Sequence, residues 1–94
     1  MKRKRETQES AVALRYHENE DAAPHVVAKG RGLIAQKIKD IARDKGIPIY
    51  RDDDLIELLS QIEIDREIPP ELYAAVAEIL SWIYKANSSM KEKR

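Results

Sequence analysis

The chain has 94 residues, and its 17 basic and 17 acidic side chains give a formal net charge of zero. A chain of this length predicts one small domain with a single core. The balanced charge excludes an overall field that would attract nucleic acid or an anionic membrane. Because the sequence contains no cysteine, it has neither disulfides nor thiolate metal sites, and it fits a reducing cytosol.

The charge is unevenly placed: basic runs open and close the chain, and acidic clusters lie inside it. Residues 1–9 are polar and charged, and we expect them to form a flexible tail, followed by a domain over residues 10–87 and a second flexible charged tail over residues 88–94. Although Lys2–Arg5 could neutralise a few phosphates, no basic helix face or aromatic platform accompanies them. Nucleic acid is therefore not an expected partner.

The hydropathy pattern predicts no insertion into a membrane. The basic N-terminus is followed by Glu6–Glu9 rather than by an apolar stretch, so it does not resemble a signal peptide. The most apolar run, Leu72–Tyr84, contains Glu78 and is shorter than the roughly 20 apolar residues that span a bilayer. We expect a cytoplasmic location.

The first predicted elements are two strands. Val12, Leu14 and Tyr16 alternate with other residues, which is the period of a strand with one buried face. An acidic loop follows, and the continuous apolar run His25–Ala28 is typical of a strand that is covered on both faces.

A helix and a third strand are predicted next. Apolar residues at helical spacing, followed by Gly46 as a stop, predict a helix with the face Ile34, Ile38, Ile41 and Ala42. The segment Ile47–Tyr50 reads as a short strand, and Pro48 places it at a sheet edge or a strand start. Strand, helix and strand in this order predict a right-handed parallel βαβ unit.

Two further helices complete the predicted fold. Asp52–Asp54 cap the first of them, with Asp54 and Glu57 at the spacing of a capping box. Pro69–Pro70 begin the last helix, whose apolar stripe is Leu72, Val76, Ile79, Leu80 and Ile83. The predicted fold class is α/β (α+β): a small central sheet of about three strands with a βαβ unit, surrounded by three helices.

The segment Gly30–Ala35 matches a relaxed dinucleotide-binding fingerprint, and Asp52–Asp54 follow at the distance of a ribose-binding carboxylate. The alternative interpretation is structural: the glycines turn a strand into a helix, and the aspartates cap the next one. We favour the structural interpretation, because a dinucleotide site needs two βαβαβ halves and this chain has room for one incomplete half. We expect no cofactor, and nucleotide binding stays an alternative.

No catalytic or metal-binding residues are predicted. His17 and His25 could share a metal only if strand pairing brought them together, and no third ligand stands at a clear spacing. No Ser or Cys lies in a nucleophile motif. On the last helix, Tyr73 and Trp82 have two interpretations: aromatics at the edge of the core, or anchors for a protein partner.

Three segments carry a family resemblance: Ala11–Leu14, then Val26–Gly30 with Gly32–Leu33, and finally Leu72–Glu78. In this order and spacing they resemble the cytoplasmic C-terminal domain of the FlhB/YscU (EscU/HrcU) family, the substrate-specificity switch proteins of flagellar and virulence type III secretion. The resemblance implies a small α/β domain that acts in protein export.

The chain departs from the family pattern just before the first strand. Family members carry the tetrapeptide Asn-Pro-Thr-His there, where the chain cleaves itself, and this sequence has Glu6–Glu9. We therefore expect no self-cleavage. The family's strand before the tetrapeptide and its N-terminal membrane domain have no counterpart in this sequence, so the chain resembles a stand-alone paralogue of the post-cleavage fragment.

The resemblance implies that the domain works by binding other proteins of the export apparatus: a truncated switch protein, export substrates or chaperones. A sheet edge left open by the absent strand gives a physical route, since unpaired edges accept an added strand. The residues expected to contact a partner are Val12, Leu14, Tyr73 and Trp82. The domain is expected to lie in the cytoplasm at the membrane export gate, and the alternative is a cytosolic adaptor that is unconnected to export.

Overall fold

The computed structural model describes residues 8–17 and 19–92, and side chains up to residue 86. The strands are β1 (Ser10–Arg15) and β2 (His25–Arg31). The helices are α1 (Leu33–Asp44), α2 (Asp53–Leu59) and α3 (Tyr73–Glu92), with a 3₁₀ turn at Pro70–Leu72 before α3. The mixed α/β class and the three helices are confirmed.

The sheet consists of β1 and β2, paired antiparallel so that Ser10 faces Arg31 and Arg15 faces His25. The register shifts within the pair: Ala13 faces Ala28 whereas Leu14 faces Val26. Val27 is thus the extra residue of a β-bulge on β2, and the bulge leaves this side chain 40% exposed. The prediction that this strand is covered on both faces is confirmed at Val26, which is fully buried, and is wrong at Val27.

The predicted third strand and the parallel βαβ unit are wrong. In the described residues Ile47–Tyr50 follows α1 as an exposed segment outside the sheet. The backbone explains why. Gly46 has a φ of 71° and closes α1, and the Ile47 N–H donates to the Ala42 carbonyl at 2.8 Å. Since Pro48 has no N–H, the first two residues of the segment have no free donor for a ladder.

The helices cover both faces of the sheet. Alternation along β1 sends Val12 and Leu14 to one face, where they pack against a core cluster of Ala23, Leu55, Leu59, Ile68, Leu72 and Val76. Helix α1 contacts both strands, and its Ala35 is fully buried. The predicted stripe of α3 is confirmed at Leu72 and Val76, which are buried, and at Ile79 and Leu80, which pack against the cluster.

Helix α2 begins two residues earlier than the capping-box spacing of Asp54 and Glu57 predicts. The N-cap is Asp52, and its Oδ1 accepts hydrogen bonds from the backbone N–H groups of Asp54 and Leu55 at 3.1 and 3.0 Å. An extended Asp with a free carboxylate satisfies donors that a helix start leaves unpaired. The cap fixes the helix that carries Leu55 and Leu59 beneath the sheet.

Of the two predicted tails, residues 1–7, 93 and 94 lie outside the described part of the chain. The backbone of α3 continues through Glu92, past the domain boundary predicted at residue 87. Among the described helices, none has both the length and the apolar character needed to cross a membrane.

Candidate functional site

The outer edge of β2 is covered at its beginning by another segment of the chain. The Val26 N–H donates to the Arg66 carbonyl at 3.0 Å, and the Val26 carbonyl accepts from the Asp65 N–H at 2.6 Å. The Ile68 N–H donates to the Pro24 carbonyl at 2.9 Å, and His25 forms an isolated bridge with Glu67. The segment 65–68 therefore pairs the beginning of this edge, at Pro24–Val26, whereas the outward backbone groups of Lys29 and Arg31 have no backbone partner within residues 8–17 and 19–92.

The outer edge of β1 is different. The Gly32 N–H donates to the Glu9 carbonyl at 2.8 Å, so Glu9 and every second residue after it turn their backbone groups towards β2. The backbone N–H and C=O groups of Ser10, Val12 and Leu14 consequently point away from β2. Within residues 8–17 and 19–92 they have no backbone partner. We call this row the open edge of β1.

Val12 and Leu14, two of the four residues expected to contact a partner, thus lie at the open edge. Their side chains are partly buried and pack against the core. What they can offer to another chain is the backbone donor and acceptor of each residue. A partner would bind there by adding a strand, which is a recognition mode based on main-chain hydrogen bonds.

A second feature is an apolar groove of about 220 Å³ beside α3. One wall is formed by Tyr16 and the loop residues Ala22–Pro24, and the other by residues of α3. The lining residues are Tyr16, Ala22, Ala23, Pro24, Ile68, Tyr73, Val76, Ala77 and Leu80. The groove was not predicted. Its signal in the sequence is the small residues Ala22, Ala23 and Ala77, whose short side chains leave room between larger neighbours.

The structure separates the two aromatic residues that were expected to contact a partner. Tyr73 lines the groove and is 43% exposed. Trp82 lies further along α3, half exposed, with its ring centroid 5.6 Å from that of Tyr50. A tilted pair at this distance is a favourable aromatic contact. Tyr73 thus belongs to the groove, and Trp82 belongs to an aromatic pair outside it.

The loop that forms one wall of the groove is held by Asp21. The His17 N–H donates to Asp21 Oδ2 at 2.9 Å, and this hydrogen bond lowers the pKa of the Asp21 carboxyl group. The N–H groups of Glu20 and Asp21 both donate to the His17 carbonyl, which closes the turn. Asp21 therefore fixes the path of the chain into Ala22–Pro24.

The two histidines have separate acidic neighbours. His17 Nδ1 lies 3.4 Å from Glu20 Oε1, and His25 Nδ1 lies 3.9 Å from Asp21 Oδ1. In the described part of the chain, no group of three or more histidine and acidic side chains is arranged to hold a metal ion. His17 is thus held in the loop, whereas His25 Nδ1 is buried and has no hydrogen-bond partner among the described residues.

The segment Gly30–Ala35 has a structural explanation. A Cβ on Gly30 would lie 2.1 Å from Ile34 Cγ2, so only glycine fits where β2 passes α1. Gly32 has a φ of 61°, which favours glycine at the corner between strand and helix. Asp52, in the place of a ribose-binding carboxylate, caps α2 instead. The antiparallel pair also lacks the parallel strand arrangement of a dinucleotide site.

A charged contact joins the beginning of β1 to α1. The Glu9 carboxylate pairs with Lys39 Nζ through Oε1, and this hydrogen bond and the charge of Lys39 lower the pKa of Glu9. The charge of Arg51 adds to the effect in the same direction. Glu9, which directly precedes β1, is thereby held against α1.

The same arrangement of strands and helices occurs in the cytoplasmic domains of export switch proteins. The structure matches the cytoplasmic domain of FlhB from Shewanella putrefaciens with a TM-score of 0.81 and 33% identity, covering 88% of this chain and 65% of that one. It matches the PscU C-terminal domain with a TM-score of 0.75 and 32% identity, covering 79% and 95%. The fold defines the class as that of a type III export switch domain.

The sequence comparison identifies the family. The model described as the FlhB HrpN YscU SpaS family matches residues 7–83, and the chain belongs to this family. It is 46% identical over 84 residues to YlqH of Bacillus subtilis (strain 168), covering 89% of this chain and 90% of that protein. It is 45% identical over 76 residues to the flagellar biosynthetic protein FlhB of Escherichia coli (strain K12), covering 80% of this chain and 20% of that one. The chain thus spans about a fifth of FlhB and nearly all of YlqH.

Proposed function

We propose that the chain is a non-catalytic interaction domain of a flagellar or type III export apparatus, located in the cytoplasm at the membrane export gate. Its family membership supports a role in protein export. Glu6–Glu9 occupy the place of the family's cleavage tetrapeptide, and the sequence contains no Asn followed by Pro. Binding is the activity that this chain retains.

The observation that carries the proposal is the open edge of β1. Within residues 8–17 and 19–92, Ser10, Val12 and Leu14 present unpaired backbone groups in a regular row, while the chain itself pairs the opposite edge at Pro24–Val26. An extended segment of another protein can complete such a row. The expected partner is a switch protein truncated at its cleavage site, which would supply the strand that precedes that site in the family. The domain would then substitute for the missing fragment.

The groove provides a second contact surface. Its lining is mostly apolar, and Tyr73 is half exposed at its rim, which suits the capture of an apolar side chain from an export substrate or a chaperone. Aromatic residues in such positions are frequent binding hot spots. Through this surface the domain would contribute to substrate recognition or switching.

The test is to mix the chain with a switch protein from the same organism, truncated at its cleavage site and purified in detergent. At tens of micromolar we expect a one-to-one complex in size-exclusion chromatography. Two separate peaks at that concentration would contradict the proposal.

The contribution of the groove is measured with a matched pair of variants and a purified export substrate. Tyr73→Ala removes a residue of the groove wall, whereas Tyr84→Ala removes a similarly exposed tyrosine of α3 that is not part of the lining. We expect Tyr73→Ala to weaken substrate binding about tenfold or more, in the range of a hot-spot truncation, and Tyr84→Ala to leave it unchanged. Equal affinities for the two variants would exclude the groove.

A further inference from the structure

We propose that two copies of this chain associate through their β1 strands, antiparallel about a two-fold axis, so that the two sheets join into one sheet of four strands. The partner is a second copy of the same chain. This association does not depend on the export role, because it needs only the open edge and the charges at its ends.

The open edge lacks three features that natural edge strands use against pairing. Natural edges are protected by proline, by charged side chains within the strand, or by bulges. Between Ser10 and Leu14 there is no proline and no charged residue. The bulge of this sheet lies on β2, at Val27, and leaves β1 regular. A regular uncharged edge of this kind pairs readily with a second strand.

The direction of the backbone groups restricts the register. Residues that exchange hydrogen bonds across the new interface must be those whose N–H and C=O face outwards, namely Ser10, Val12 and Leu14. A two-fold axis at Val12 places Val12 opposite Val12 of the second copy. It also places Ser10 opposite Leu14 of the second copy, and Leu14 opposite Ser10 of the second copy. This register uses all three outward-facing residues of each strand.

The charges at the ends of the strand select the same register. With the axis at Val12, Glu9 lies opposite Arg15 of the second copy, and the same pair forms again at the other end. These two residues occupy a non-hydrogen-bonded position, where Cα atoms are about 4.5 Å apart and side chains lie close together. Opposite charges in such a position are favourable, and like charges are not.

Glu9 has the capacity for this additional contact. Its Oε1 is used by Lys39, and a carboxylate with two oxygens can accept further donors. Arg15 is exposed at the end of β1. When the strands slide by two residues in either direction, Arg15 no longer faces Glu9 of the second copy, and the ion pair is lost.

Cysteine cross-linking tests the register, because the chain contains no cysteine of its own. The proposed axis places Ala11 opposite Ala13 of the second copy, in a non-hydrogen-bonded pair. We expect an oxidised equimolar mixture of Ala11→Cys and Ala13→Cys, one of them tagged, to give mainly the mixed disulfide dimer, several-fold above the dimers of either variant alone. A statistical distribution of the three dimers, or no cross-linking, would overturn the proposal.

Sedimentation velocity on the chain alone tests the use of the edge. Ser10→Pro removes an outward-facing N–H at the first residue of the strand, a position where proline is tolerated, and Ser10→Ala keeps that N–H. With both variants folded by circular dichroism, Ser10→Pro should raise the dimer dissociation constant at least tenfold, and Ser10→Ala should leave it unchanged. A wild-type chain that stays monomeric up to several hundred micromolar would refute the dimer, whatever the outcome with the truncated switch protein.

Discussion

The outer edge of β2 and the outer edge of β1 belong to the same small sheet and are completed differently. At β2, Val26 exchanges hydrogen bonds with Asp65 and Arg66, and Ile68 ties the returning chain to Pro24. At β1, the outward groups of Ser10, Val12 and Leu14 find no backbone partner among residues 8–17 and 19–92. The β2 edge is closed by the chain at Pro24–Val26, whereas the whole β1 edge is unpaired within the described residues.

This difference shows where the domain derives its stability and where its binding capacity lies. The covering segment brings Ile68, which is 2% exposed, into the core cluster beside Leu72 and Val76. Closing the β2 edge is therefore coupled to the burial of apolar surface, which stabilises the fold. The open edge of β1 contributes no such burial beyond its own strand. Changes at the closed edge should alter stability, and changes at the open edge should alter association.

The largest effect on stability is expected from Ile68→Ala. This substitution leaves a cavity in the core at the residue that anchors the covering segment, and such changes cost about 2 to 5 kcal/mol. A domain of this size has a free energy of unfolding of about 5 to 15 kcal/mol. The variant should therefore be strongly destabilised in urea denaturation followed by circular dichroism.

The matched control is Ile64→Ala, which removes the same atoms from a side chain that is 49% exposed, just before the covering segment. It should cost well under half as much. If the two variants lost the same free energy of unfolding, the covering segment would not be anchored by burial, and the contrast between the two edges would fail.

Most of the helices were predictable because their signals are local. The stripe from Leu72 to Leu80, the stop at Gly46 and the acidic start of α2 each depend on residues within a turn or two. The same holds for the alternation of Val12 and Leu14 in β1. The family resemblance gave the domain class, which the comparisons confirmed.

The strand count and the groove were not predictable from local patterns. Ile47–Tyr50 has strand-like composition, but a strand also needs free donors and a neighbour, and the Ile47 N–H is taken by the end of α1. The groove forms between a loop and a helix that are about fifty residues apart in the chain, so its shape depends on tertiary packing. The covering of β2 by residues 65–68 likewise shows no signal in the sequence.

A moderate loss is expected from Lys29→Met. Lys29 lies on β2, and its Nζ donates to the carbonyls of Ser60 and Ile62 at 3.0 and 2.8 Å, at the end of α2 where unpaired carbonyls gather. These bonds hold the point from which the chain turns back to cover the β2 edge. Because hydrogen bonds to charged groups contribute about 1.5 to 3 kcal/mol, we expect a loss of about 2 kcal/mol in urea denaturation.

Methionine keeps most of the apolar length of lysine, so this variant isolates the charged donor. Lys37→Met, on the exposed side of α1, is the control and should change the free energy of unfolding by no more than about 0.5 kcal/mol. An equal change in both variants would mean that Lys29 does not hold the end of α2.

The smallest effect concerns the loop that joins the two strands, and it depends on pH. The hydrogen bond from the His17 N–H lowers the pKa of Asp21 in the folded state. The stabilisation by the ionised Asp21 carboxylate is therefore fully present above the pKa of an unfolded Asp, about 3.9. It is lost as the pH falls through the lower pKa of the folded state, because the unfolded state binds more protons in this range.

Asp21→Asn should be less stable than wild type at pH 7. The difference should shrink below about pH 4, in urea midpoints measured from pH 7 to pH 3. Glu20→Gln, which removes a carboxylate from a side chain that is 75% exposed in the same loop, should follow the wild-type profile. A constant difference between Asp21→Asn and wild type down to pH 3 would show that this carboxylate does not hold the loop in place.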